Sequence, residues 1–154
     1  MSKTLLIVGH VPSPNTQRLR DAVERGACEL GAEGIGVRCL TPFEAGVPDV
    51  LAANAIILGT TENLGYMSGA LKDFFDRTYY GVIEEKQGLP CALYIRAGLD
   101  GTGTRRAVES ILTGLRWKLI AQPLTLKGEW RDSFADEAEE LGQLVAAGLE
   151  AGVF

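Results

Sequence analysis

The sequence predicts an α/β fold: a three-layer sandwich built on one five-stranded parallel sheet in order 2-1-3-4-5, with helices on both faces. Three observations predict it. Apolar runs of strand length, such as KTLLIVG at 3–9, NAIILG at 54–59 and PCALYIR at 90–96, show no polar alternation, which suits strands covered on both sides. Segments with apolar residues at helical spacing alternate with these runs, as right-handed crossovers in a parallel sheet require. A length of 154 residues suits a single domain, 1–154, and with five strands favours 2-1-3-4-5 over the other common doubly wound order.

The elements follow in turn. Residues 3–9 give the first strand. After a loop at 10–14, Leu19, Ala22, Val23, Ala27 and Leu30 recur at helical spacing, and Gly31 is placed to stop that helix. IGVRCL at 35–40 is a second strand, weakened by Gly36, and 54–59 is the third. Ser68 can N-cap the next helix, whose stripe is Leu71, Phe74, Phe75, Thr78 and Tyr79. Residues 90–96 form the fourth strand. They lead through the glycine-rich AGLDGTG at 97–103 into a helix carrying Ala107, Val108, Ile111, Leu112 and Leu115, where Thr102 or Thr104 can cap. KLIAQPLTL at 118–126 is the fifth strand, and Pro123 marks it as an edge, since proline cannot donate to a central ladder. Phe134, Ala138, Leu141, Val145 and Leu149 define a closing helix with an acidic outer face.

Composition excludes several functions. A net charge of −5, with basic residues scattered and Arg105-Arg106 the one basic doublet, argues against nucleic acid or an anionic membrane surface. Three cysteines, Cys28, Cys39 and Cys91, lie far apart without a CxxC spacing, so the expectation is buried thiols in a reducing compartment, not disulfides or zinc. One histidine, His10, excludes a His-based metal cluster. The apolar run near the start is too short and interrupted for a signal peptide or a membrane span, so a cytoplasmic protein is expected.

In a sheet of this order, ligands sit at the carboxyl ends of the strands near the switch between strands 1 and 3. Three loops therefore share one crevice. The first, GHVPSPNTQRL, sets Ser13, Asn15 and Thr16 at a helix start, where free N–H groups and the positive dipole end suit an anion. The plainer alternative makes Asn15 an N-cap and Ser13 and Thr16 turn residues. The second loop, 60–67, joins strand to helix with Gly65, Tyr66 and several hydrogen-bonding groups, a wall for a planar heterocycle. The third, 97–103, lets the backbone approach a flat ligand closely. Together they point to a phosphorylated planar ligand. Neither GxxxxGK nor GxGxxG is present, which disfavours a nucleoside-triphosphate P-loop and a dinucleotide Rossmann site. A receiver domain would need an acidic pair ending strand 1 and an aspartate ending strand 3, and a low-molecular-weight tyrosine phosphatase a C-x5-R loop; all are missing.

SPNTQRL after the first strand and NLGYMSGALKDFFDR after the third resemble the flavodoxin-like superfamily, in particular its NAD(P)H-dependent FMN reductase and quinone reductase branch. Ser13, Asn15 and Thr16 match the Ser-x-Asn-Thr phosphate loop; Gly65, Ser68, Gly69, Leu71, Lys72 and Asp76 match the helix start. Thr61 stands where that branch often carries proline. The resemblance implies noncovalent FMN, with its phosphate in the first loop and its ring between the second and third. The cofactor-binding residues it implies are His10, Ser13, Asn15, Thr16, Gln17, Thr60, Thr61, Glu62, Asn63, Leu64, Gly65, Tyr66, Ala97, Gly98, Asp100 and Gly101, with no catalytic side chain and no metal ligand. It further implies hydride transfer from NAD(P)H to the flavin and onward transfer to a small-molecule, quinone-like acceptor. The alternative is a flavodoxin-type carrier without turnover of its own, and the resemblance leaves room for a homo-oligomer.

Overall fold

The computed structural model describes residues 2–30 and 34–154. Seven strands and five helices follow in the order β1 (Lys3–Gly9), α1 (Pro14–Leu30), β2 (Ile35–Leu40), α2 (Val47–Ala52), β3 (Ala55–Asn63), β4 (Tyr66–Met67), α3 (Gly69–Val82), β5 (Pro90–Ala97), α4 (Thr102–Leu115), β6 (Lys118–Leu119), β7 (Leu124–Lys127) and α5 (Ser133–Ala151). The sheet order is β2-β1-β3-β5, with β6 and β7 both pairing β5 in the fifth place. All of these pairings are parallel, which is the order expected from the sequence. The fifth strand is broken: Pro123 has no N–H to give, and the ladder resumes only at Leu124. Gly31 lies outside the described residues, as does the side chain of Leu30.

The unalternating strands have two apolar faces because helices cover both. Leu6, Val8, Ile56, Leu58, Leu93 and Ile95 pack with Leu71, Phe74, Phe75, Val108 and Leu112 of α3 and α4. Leu5, Ile7, Ala55, Ile57, Ala92 and Tyr94 pack on the other face with Leu19 and Val23 of α1 and Phe134 and Val145 of α5. Helices α1 and α5 approach so closely that a Cβ at Gly26 would lie 2.1 Å from Glu139 O, and one at Gly142 would lie 2.1 Å from Val23 O. A short helix, α2, for which the sequence reading names no residues, is closed at its start by Asp49 Oδ2 accepting from Gly46 N–H.

Two features prepare the carboxyl edge of the sheet. First, β1 and β3 end in register at Gly9 and Gly59, and Tyr94 lies beside Gly59 on β5. The tyrosine ring covers both glycines: a Cβ on Gly59 would lie 2.0 Å from Tyr94 Cζ, and one on Gly9 would lie 2.6 Å from its hydroxyl. Second, β3 runs on to Asn63 and turns back into β4, so residues 60–67 form a hairpin where the sequence suggests a loop. Asn63 pairs with Tyr66 across the two-residue turn Leu64-Gly65, whose φ values of 54° and 74° are those of a type I′ turn. The tight turn matches the twist of the strands. It pays for that match with a leucine in the left-handed region, a residue the turn rules do not anticipate.

Three cysteines occupy three environments. Cys91 is buried, with its thiol pushed up to about 12 by burial, and Cys39 is half-buried, with its thiol pushed up to about 11 first by burial and then by Glu24. Cys28 is exposed on α1, which corrects the expectation of three buried thiols. Its position on α1 faces away from the apolar stripe of Leu19, Ala22, Val23 and Ala27.

Candidate functional site

The first loop closes as a helix cap. Helix α1 starts at Pro14, whose fixed φ and absent N–H suit a first helical position, so Ser13 is the capping residue and Asn15 sits inside the first turn. This corrects the alternative that cast Asn15 as the cap. Thr16 N–H donates to Ser13 Oγ at 3.2 Å, Ser13 N–H donates to Thr16 Oγ1 at 2.9 Å, and the Thr16 hydroxyl donates to Ser13 O at 2.9 Å. Thr16 is buried and Ser13 exposed, so the pair presents one hydroxyl outward. Among the described residues the Asn15 N–H finds no acceptor, and it points along the positive end of a 17-residue helix. His10 is half-buried; its N–H donates to Gly59 O at 3.1 Å, and burial lowers its imidazole below the ordinary value. Gln17 turns away, donating to Asp21 Oδ1 on the outer face of α1.

The hairpin is anchored at its neck. Ser68 N–H donates to Thr60 Oγ1 at 3.0 Å, and Ser68 Oγ in turn accepts from Leu71 N–H at 3.1 Å, the cap expected from the sequence. Thr60 and Ser68 are both buried, so the Thr60 hydroxyl is engaged in this relay. Alternation along β3 then sends Glu62 to the α3–α4 side with Thr60, while Thr61 and Asn63 face the α1–α5 side, where they hydrogen-bond to each other at 2.7 Å. Tyr66, opposite Asn63, shares that outward side and is 42% exposed.

Glu62 joins the second loop to the third. Its Oε1 accepts from Leu99 N–H and its Oε2 from Gly101 N–H, both at 2.8 Å. The carboxylate therefore fills the N–H nest ahead of α4, where Gly101 takes φ 71° as the residue before the helix. Neither Thr102 nor Thr104 caps α4. Instead Thr104 Oγ1 donates to Tyr66 O, and a Cβ on Gly103 would lie 2.1 Å from Gly65 O, so the hairpin tip sits directly on the start of α4. Thr102 N–H donates to Asp100 Oδ1, which holds that exposed carboxyl below its usual value. Ala97 ends β5, buried, and Gly98 is exposed beside it.

The three segments thus meet on one edge of the sheet. On that edge Ser13, Asn15, Thr61, Asn63, Tyr66, Gly98 and Asp100 present accessible groups, whereas Thr16, Thr60 and Ala97 are buried and Glu62 is committed to the third loop. Leu64 and Leu99, on the hairpin turn and the third loop, stand fully or largely exposed. An open surface hollow between α3 and α4, of about 260 Å³ and lined by Lys72, Phe75, Asp76, Tyr79, Tyr80 and Ile111, is a separate feature on the helical side. Lys72 and Asp76 pair there at 2.6 Å, as their spacing suggests. Among the described residues no group of His, Cys, Asp and Glu could hold a metal ion, and no helix is long and apolar enough to cross a membrane.

Sequence reasoning missed a basic group at the same edge. Arg18 of α1, Arg96 of β5 and Arg131 gather around Trp130 and Phe134 at the start of α5. Their separation in sequence hides them; only the fold brings them together.

No protein-family model matches the chain. A curated relative from Aquifex aeolicus (strain VF5), named flavodoxin, is 32% identical over 111 residues, which is 72% of this chain and 59% of that protein. The matched segment thus spans less than two thirds of that relative's length. Among solved structures, a flavodoxin from the domain Archaea superposes with a TM-score of 0.81 at 17% identity, covering 96% of this chain and 99% of that one. A WrbA-like flavodoxin protein from Agrobacterium tumefaciens gives a TM-score of 0.77 at 18% identity over 97% and 99% of the two chains. The flavodiiron core of Flv1 from Synechocystis gives 0.78 at 13% identity, covering 98% of this chain but 37% of that one.

Proposed function

We propose that this chain, whose fold is flavodoxin-like, binds FMN at the carboxyl edge of its sheet and acts as an NAD(P)H-dependent oxidoreductase with a small, quinone-like acceptor. The observation that carries the reading is the convergence of the α1 start, the 60–67 hairpin and the 97–103 loop around one groove. The residues present fit such a ligand. A phosphate at the start of α1 would meet the free Asn15 N–H, the Ser13 hydroxyl and the helix dipole. A flat ring would meet apolar surface at Leu64, Tyr66 and Leu99, which water-facing turns otherwise avoid.

FMN supplies, when bound, the hydride and electron chemistry that no side chain of this groove offers. The chain's own part is to bind and orient. Ser13 and Asn15 hold the phosphate, and the polar groups of Thr61 and Asn63 meet the ring's hydrogen-bonding rim. The Glu62 clasp keeps the third loop against the hairpin and so sets the width of the groove. Tyr66 shields one ring face from water. The third loop offers Leu99 and no aromatic, which supports a second face open to a nicotinamide. With FMN bound, a nicotinamide would supply two electrons and one proton as hydride, and a quinone would leave as the hydroquinone carrying those two electrons, that proton and one more from solvent.

The test is anaerobic rapid mixing of the FMN-loaded protein with NADH or NADPH. The expected result is loss of the flavin's visible absorption, restored by added quinone. A second reading is favoured by the name of the curated relative: a carrier of electrons between proteins. It is adopted instead if neither nucleotide reduces the flavin over minutes while dithionite does.

A further inference from the structure

In a chain of net charge −5, three guanidinium groups stack on two neighbouring rings where α5 begins. Arg18 Cζ lies 4.8 Å from the Trp130 ring centroid, and Arg96 Cζ lies 5.9 Å from it. Arg96 Cζ is also 5.0 Å from the Phe134 centroid, and Arg131 Cζ is 4.9 Å from it. Trp130 and Phe134 meet edge to face at 5.6 Å. Cations and rings therefore alternate along one row, and the ring faces offset part of the repulsion between like charges. The resident counter-charge is slight. Asp132 Oδ1 accepts from Arg18 Nη2 at 3.2 Å and from Trp130 Nε1 at 3.1 Å, yet its side chain is 86% exposed.

Arg96 is the centre of the group. Its Nη1 donates to Ala97 O at 2.9 Å and Leu126 O at 3.1 Å, which fixes the guanidinium and leaves Nε and Nη2 for another acceptor. Among the described residues neither Arg96 nor Arg131 forms an ion pair. Arg96 is only half-exposed, and a partly desolvated cation without a counter-ion is costly unless an anion meets it. Its place is suggestive as well. The β3–β5 register sets Arg96 beside Thr61, and alternation along β5 puts its side chain on the face shared with Tyr94 and α1.

We propose that Arg96, with Arg131 and Arg18, binds a phosphate dianion at the start of α5, as a second anion subsite beside the Ser13–Thr16 helix start. The planar guanidinium fork suits phosphate oxygens in a way a lysine would not. Two sources offer that chemistry: the flavin's own phosphate, and the phosphates of a nicotinamide dinucleotide. The choice of these sources rests on the function proposed above; the subsite itself does not.

The test is titration of the full chain with inorganic pyrophosphate at low ionic strength, read by the emission of the partly exposed Trp130. The expected result is saturable binding that weakens about tenfold or more in Arg96→Met and in Arg131→Met, and is unchanged in Arg25→Met on the remote part of α1. Arg131 is exposed, so its variant decides the matter if Arg96→Met fails to fold. Pyrophosphate binding that persists in FMN-saturated protein assigns the subsite to a second nucleotide. Binding that FMN abolishes, with FMN but not riboflavin affinity lowered in Arg131→Met, assigns it to the flavin phosphate. Absence of a saturable response, or equal affinity in wild type and both variants, overturns the proposal. Pyrophosphate binding without flavin binding would overturn the proposed function alone; flavin binding without a pyrophosphate response would overturn the subsite alone.

Discussion

Replacing Tyr94 by phenylalanine should stabilise the protein. The ring is almost wholly buried across Gly59 and Gly9, and its hydroxyl has no hydrogen-bond partner among the described residues. Burying an unpaired hydroxyl costs about 1–3 kcal/mol relative to leaving it in water. Removing one oxygen leaves a void smaller than a methyl group, worth roughly 0.5 kcal/mol or less. The difference favours Tyr94→Phe by about 0.5–2.5 kcal/mol, and for a chain of this length ~1.5 kcal/mol corresponds to a rise of ~3–6 °C in Tm. Urea unfolding should show a higher midpoint with an unchanged slope. The effect should grow in alkali. Burial pushes the Tyr94 phenol well above its ordinary value, so above pH ~10 the unfolded chain releases a proton that the folded chain keeps, and stability falls as pH rises. Tyr94→Phe removes that share of the loss. A variant destabilised by ~1 kcal/mol or more would refute the reasoning, and would mean that the hydroxyl is satisfied, for instance through a water shared with the equally unpaired Arg20 Nε.

Gly59→Ala should be severely destabilising, by ~3 kcal/mol or more, because the new Cβ would lie 2.0 Å from Tyr94 Cζ; a Gly59→Ala/Tyr94→Leu double variant should recover at least ~1 kcal/mol in a denaturation cycle, and no recovery would place the strain elsewhere. Glu62→Gln should loosen the third loop locally by roughly 1–2 kcal/mol, the partly exposed carboxylate being replaced by a group with one acceptor oxygen for two N–H donors. Faster hydrogen exchange at Leu99 and Gly101 would register it, and unchanged exchange would count against the clasp. Ser13→Ala should cost about 1 kcal/mol of stability through the lost cap and at least tenfold in FMN affinity; retained affinity would confine Ser13 to capping.

The sheet order was legible because β1, β3 and β5 are apolar on both faces, and only a doubly covered parallel sheet explains strands of that kind. The Ser68 cap and the Lys72–Asp76 pair were legible because both are contacts within a few residues. The hairpin at 60–67 was not, since Leu64 adopts a positive φ that turn chemistry reserves for asparagine or glycine. Helix α2 was obscured by Pro42, Gly46 and Pro48, which punctuate six helical residues as if they were loop. The cap of α1 shifted by two residues because Pro14 can open a helix as readily as it can end a loop. What the site gains from distant partners could not be read locally at all. Glu62 reaches Leu99 and Gly101 across 37 and 39 residues, and the arginine row draws on α1, β5 and the turn before α5.

The central claim is that the groove at the start of α1 receives a phosphorylated flavin. Titration calorimetry of the purified chain with FMN and with riboflavin tests it most directly. Several charge-assisted hydrogen bonds at ~1.5–3 kcal/mol each should make FMN bind at least ~100-fold more tightly than riboflavin. Equal affinities for the two flavins, or no binding of either, would contradict it.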